Sequence, residues 1–139
     1  MKRVMLFVIA AALCSNAVAA CAMENQFSDP DALSRLITEK SEPYILVDVR
    51  TPEEYASGHI PTAVNFPVSI IAGKLATGER SALVIVYCAS GRRSAIAKKT
   101  LDDLGFTRVV DFGAISRWRG ELVEEGERDG PSRGPAHSG

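Results

Sequence analysis

Between residues 23 and 123 the apolar positions fall into short continuous runs, separated by turn residues or by segments of helical spacing. Tyr44 to Val49 is one such run. Ala63-Val-Asn65 is a shorter one before Pro67, Ala82-Leu-Val-Ile-Val-Tyr-Cys88 is another, and Thr107 to Phe112 is the last. Continuous runs rich in β-branched residues predict strands buried on both faces. Between them lie the predicted helices. Asp29-Pro30 reads as an N-cap with proline at the first helical position, followed by Ala32, Leu33, Leu36 and Ile37 at helical spacing, with a break at Ser41-Glu-Pro43. Thr51-Pro-Glu-Glu54 is a capping box for a helix of one or two turns, which Gly58 is expected to end in the left-handed conformation. Val68 to Leu75 is a weaker helix. Ser94 to Leu104 is a stronger one, with Ala97, Leu101 and Leu104 on one face and Gly105 as its C-cap. A last short helix is expected over Gly113 to Trp118. Strands and helices that alternate in this way predict an α/β domain, with a central, mainly parallel sheet and helices on both faces. A chain of 139 residues suits one such domain.

The ends of the chain do not follow the pattern. Met1-Lys-Arg3, the apolar run Val4 to Leu13 and the small residues Ala17-Val-Ala-Ala20 form a signal segment over residues 1–22, too short to span a bilayer as a permanent helix. Export is therefore expected. Cys14 falls inside the signal. Cys21 follows Val18-Ala-Ala20, which resembles the lipobox of bacterial lipoproteins, so Cys21 is a candidate lipidation site. Ordinary cleavage after Ala19, Ala20 or Ala22 is the alternative. From Glu124 the chain is charged and rich in Gly, Pro and Ser, so a disordered tail is expected over 124–139. The domain proper is then 23–123.

Charge and composition exclude some classes. A net charge of −1 with no basic cluster gives no reason to expect a nucleic-acid partner. His59 and His137 have no companions at metal-ligand spacing, so no metal site is expected. Cys88 is the domain's single cysteine, which leaves no disulfide partner within it. In an oxidising compartment a lone thiol is either buried or used.

The chemistry concentrates where that cysteine stands. Cys88 ends a strand, Ala89-Ser90-Gly91 turns tightly, and a helix follows. The first N–H groups of a helix lack intrahelical partners and carry the positive end of its dipole. A loop wrapped over that end forms an anion-binding nest. Arg92 and Arg93 add positive charge, and together these features are expected to favour the Cys88 thiolate. Asp48 and Arg50 end a neighbouring strand, where open α/β sheets place their ligands. Arg50 is a candidate for electrostatic support, and a structural Asp48–Arg50 ion pair is the simpler expectation.

Two separated motifs resemble the rhodanese family of sulfurtransferases. They are Val47-Asp-Val-Arg-Thr-Pro-Glu-Glu-Tyr55 with Gly58-His-Ile-Pro61, and the loop Cys88-x4-Arg93-Ser94. With Gly113 and Trp118 the likeness extends over about residues 30 to 122, and it is strongest to small, exported, single-domain thiosulfate sulfurtransferases of bacteria. The resemblance implies a Cys88 persulfide as intermediate, with Ala89, Ser90, Gly91, Arg92, Arg93 and Ser94 around the bound sulfur. It implies a small anionic donor such as thiosulfate, a thiol or cyanide acceptor, and no organic cofactor. Periplasmic localisation follows, with membrane attachment only through an acylated Cys21. In the family the Asp-x-Arg motif is mainly structural and the histidine equivalent to His59 supplies no base. The family usually has Gly-Gly where this chain has Gly113-Ala114. Related cysteine-dependent phosphatases and arsenate reductases carry a loop one residue longer, Cys-x5-Arg, which makes that chemistry the weaker alternative. A non-catalytic sulfur-binding or redox-sensing module is the alternative from another class.

Overall fold

The computed structural model describes residues 26–126. The expected signal segment, Cys21 and all but the first three residues of the expected tail lie outside that range. Four parallel strands form one sheet in the order β2-β1-β3-β4: β1 Ile45–Asp48, β2 Val64–Asn65, β3 Leu83–Cys88 and β4 Arg108–Ala114. The helices are α1 Pro30–Glu39, α2 Pro52–Ala56, α3 Ile71–Lys74 and α4 Arg92–Asp103, with single 3₁₀ turns at Gln26–Ser28 and Ile115–Arg117.

The continuous apolar runs find their reason in the two cores. Successive side chains of a strand point to opposite faces, and both faces of this sheet are covered. Leu46, Leu83, Ile85, Tyr87, Val110 and Phe112 pack with Leu33 and Leu36 of α1 and with Tyr55 and Ile60. On the other face Val47, Val84, Val86 and Cys88 pack with Ile71 of α3 and with Ala97 and Leu101 of α4. All six residues of β3 are buried.

The caps form as the residue types require. Asp29 accepts from the N–H groups of Asp31 and Ala32, ahead of Pro30. At Thr51 both halves of the capping box are made: Glu54 N–H donates to the threonine hydroxyl, and Thr51 N–H donates to the Glu54 carboxylate. Gly105, at φ +92°, ends α4 in a Schellman motif, with Gly105 N–H on the Asp102 carbonyl and Phe106 N–H on that of Leu101.

Other details depart from expectation. Gly58 closes α2 at φ +149°, a more open geometry than the compact left-handed turn. Lys40 and Thr62 take positive φ, 49° and 70°, although neither type favours it. Helix α4 begins at Arg92, two residues before Ser94, because Gly91 at φ +92° already serves as its N-cap. The β3–β4 register shifts after Val86, so that Phe112 is an extra residue and Gly113 stands opposite Tyr87. The chain is also tied down slightly beyond residue 123: Val123 exchanges two backbone hydrogen bonds with His59, and Glu125 N–H donates to Ala56.

Candidate active site

The junction of β3, the loop and α4 lies at the carboxyl ends of the strands. Cys88 is fully buried, whereas Ala89 and Ser90 at the tip of the loop are exposed. Gly91 N–H lies 3.0 Å from Cys88 Sγ and Ser94 N–H lies 3.4 Å away. The Ser94 hydroxyl is 3.7 Å from Sγ and donates to the Gly91 carbonyl at 3.0 Å. Loop and helix N-terminus thus curl around one sulfur atom. Burial pushes the Cys88 thiol up, but the Ser94 N–H and hydroxyl, with the N–H groups of Gly91 and Ser90, outweigh it. The net result is a thiol below its ordinary value. The backbone donors of the expected nest, joined by the Ser94 hydroxyl, are thus the groups that lower it.

The two arginines part company. Arg92 opens α4, is exposed, and enters no ion pair among the described residues. Arg93 is turned toward α2, where its guanidinium donates to both oxygens of Glu54 at 2.8 and 3.0 Å. That guanidinium holds the Glu54 carboxyl down at about 2, helped by the Thr51 N–H. Sequence reasoning missed this pair because the partners are 39 residues apart and Glu54 is already accounted for by its local cap.

Asp48 and Arg50 come together at the end of β1. Arg50 donates from Nε and Nη2 to the Asp48 carboxylate, with Nη2 to Oδ2 at 2.6 Å, and Nη2 also reaches the Gly58 carbonyl at 2.7 Å. Asn65 Nδ2 donates to the carbonyls of both residues. These bonds join the ends of β1 and β2 to the turn at Gly58, and Asp48 itself pairs in register with Tyr87, the residue before Cys88. His59 is buried, stacks on Tyr55 at 3.7 Å between ring centroids, and places Nδ1 2.9 Å from the Tyr55 carbonyl.

Gly113 packs beside the loop. A Cβ on Gly91 would lie 3.7 Å from Gly113 Cα, an ordinary contact, so it is the positive φ of Gly91 that calls for glycine. Ala114 sits at φ −80° and ψ 138°, where any L-residue is comfortable, which explains why alanine serves there. A cleft of about 440 Å³ lined by Glu42, Tyr44, Ile45, Leu83 and Arg108 lies at the amino ends of the strands, away from Cys88. Among the described residues no group of three His, Cys, Asp or Glu side chains is placed to hold a metal ion.

Residues 29–121 match the model of the rhodanese-like domain. The chain belongs to that family. Thiosulfate sulfurtransferase PspE of Escherichia coli is 37% identical over 71 residues, which cover 50% of this chain and 68% of the relative. A sulfurtransferase of Allochromatium vinosum is 36% identical over 91 residues, covering 65% and 84%. Among solved structures, a rhodanese with anions from E. coli superposes with a TM-score of 0.56 at 32% identity, covering 59% of this chain and 99% of that one. A rhodanese-like domain protein from Staphylococcus aureus gives a TM-score of 0.60 at 33% identity, covering 69% and 94%. This rhodanese-like chain keeps, in one loop, the thiol and the amides that sulfur-transfer chemistry requires.

Proposed function

We propose that this protein is a thiosulfate sulfurtransferase that works through a Cys88 persulfide. Membership of the rhodanese-like family supports sulfur transfer in general. The observation that carries the reading is the placement of Gly91 N–H and Ser94 N–H at 3.0 and 3.4 Å from Cys88 Sγ, which favours a thiolate and offers donors to a second sulfur bound there. In the first half-reaction the thiolate attacks the outer sulfur of thiosulfate. A new S–S bond forms, the bond to the sulfonate sulfur breaks, and sulfite leaves with its electron pair. In the second, a thiolate or cyanide attacks the outer persulfide sulfur, and Cys88 returns as thiolate. Arg92 draws the anionic donor to the loop, and the amides of residues 89 to 94 hold the persulfide. Ala89 and Ser90 contribute mainly backbone at the exposed tip.

Mass spectrometry before and after thiosulfate tests the reading. Cys88 should gain one sulfur atom and lose it to cyanide as thiocyanate. Cys88→Ser, nearly isosteric, should keep the fold and lose both reactions. A wild-type chain that folds but never gains sulfur would identify a sulfur-binding or sensing module instead. Phosphatase or arsenate reductase activity is disfavoured, because Cys88-x4-Arg93 is a residue shorter than those loops. We further propose export to the bacterial periplasm, with acylation at Cys21. The same spectra report the processed N-terminus, and partition of the mature protein into detergent, abolished by Cys21→Ala, would support the anchor.

A further inference from the structure

The cations near Cys88 are not equivalent. Arg50 is matched by the buried Asp48 carboxylate. Arg93 is matched by Glu54, whose two oxygens occupy both terminal nitrogens of the guanidinium. Arg92 is exposed and unmatched among the described residues. The Glu54 carboxylate is held in place from its own side as well, since it accepts the Thr51 N–H at 2.9 Å. A guanidinium fork gripped by a carboxylate offers the same two N–H groups that a pair of donor oxygens would take. An oxyanion that sought the same two-pronged grip on Arg93 would have to displace Glu54, and one that bonded the remaining N–H groups would meet a cation already neutralised by the carboxylate.

We propose that Glu54 is a specificity-determining positioning residue, which by pairing with Arg93 leaves the loop one effective entrance cation and so moderates its preference for dianionic over monoanionic sulfur donors. The inference rests on the sulfur-transfer reading and names the donor property that the site discriminates. Arg93 precedes Ser94, whose N–H and hydroxyl face the sulfur; the hydrogen bond to Glu54 is the main cause of the raised Arg93 pKa, and the charge on Cys88 adds to it. A change in the net charge of this pair is therefore felt at the reacting atom. Both partners are about one-third exposed, at 32% and 37%, so the effect passes through partly screened space.

The test is Glu54→Gln, which removes the charge while glutamine still serves a capping box. The two donors are thiosulfate, a dianion, and methanethiosulfonate, a monoanion that delivers its outer sulfur in the same way with sulfinate as leaving group. Freeing one positive charge at roughly 8 Å from the donor, under an effective dielectric of roughly 30 to 60, should raise the thiosulfate-to-methanethiosulfonate ratio of kcat/KM by about three- to tenfold. The gain should lie in KM and shrink in high salt. Arg93→Gln, which leaves Glu54 bare, should move the ratio below that of the wild type. Opposite shifts in two variants that break the same contact are not what loss of structure produces. An unchanged ratio in Glu54→Gln, with both donors active on the wild type, would overturn the assignment of Glu54 alone. A wild-type Cys88 that takes sulfur from neither donor would overturn the sulfur-transfer reading and this inference with it.

Discussion

Removing one hydroxyl, in Ser94→Ala, separates the contribution of the loop from that of the arginines. In the thiol form Cys88 donates to the Ser94 oxygen, and the serine hydroxyl donates to the Gly91 carbonyl. On ionisation the hydroxyl must turn to donate to the sulfur. It can do so cheaply, because the Gly91 carbonyl keeps a second donor in the Ala95 N–H. The same second donor lets alanine be accommodated without leaving that carbonyl bare. A hydrogen bond to a charged group is worth about 1.5 to 3 kcal/mol. The 3.7 Å separation argues for the lower end, so the thiol pKa should rise by about one unit. The sign follows from which form the bond favours: it holds the thiolate, so losing it raises the pKa and lowers the thiolate fraction at a given pH. The thiolate that remains is more basic and somewhat more nucleophilic, which recovers part of the loss. Alkylation below both pKa values should then slow by about three- to fourfold, with the midpoint of its pH profile moved up by about one unit. The profile should not depend on salt, since the bond is buried. If the midpoint stays within about 0.3 unit while Arg93→Gln moves it by a full unit, the arginines set the thiolate and the amide-and-serine account is wrong.

Three further outcomes are expected. Asp48→Asn should cost about 3 to 5 kcal/mol in urea unfolding, because it strands a buried Arg50 guanidinium; a loss below about 1 kcal/mol would mean that water or rearrangement compensates the charge. Glu54, held at about 2 when folded against 4.5 for the free side chain, contributes stability that is fully present above 4.5 and is lost as pH falls from there through about 2. Glu54→Gln should therefore flatten the acid limb of a stability–pH profile, and an unchanged limb would show that solvent already screens the pair. Lys40→Gly should stabilise the chain by about 0.5 to 1 kcal/mol, because Lys40 sits at φ +49° at the end of α1; a lower melting temperature would refute the strain.

What could be read from the sequence was local. Asp29, Thr51 with Glu54, and Gly105 sit within four residues of the groups they cap, so their chemistry is written in neighbouring positions. Cys88, Gly91 and Ser94 were legible for the same reason: strand, loop and helix follow one another directly in the chain. The positive φ of Lys40 and Thr62 left no trace, since a lysine and a β-branched threonine give no such signal and the surrounding structure imposes it. The extra residue at Phe112 was equally silent, because a bulge is defined only against a partner strand. The direction of Arg93 required knowing that α2 packs beside the start of α4, a fact of tertiary structure. The sequence placed Arg93 beside the loop but gave no sign of its pairing with Glu54.

The strand β4 bears on how separate molecules meet in a crowded solution. It is the last strand of the sheet, seven residues long and rich in valine and phenylalanine, the kind of open edge on which a second chain can lay down a strand and start an aggregate. Here the Lys98 ammonium occupies the Val109 carbonyl and the Arg117 guanidinium occupies that of Phe112. The bulge at Phe112 breaks the even spacing that an incoming strand would need. Neutralising Lys98 and Arg117 would bare the edge without touching the sulfur chemistry, and the cost would appear as turbidity on heating rather than as lost turnover.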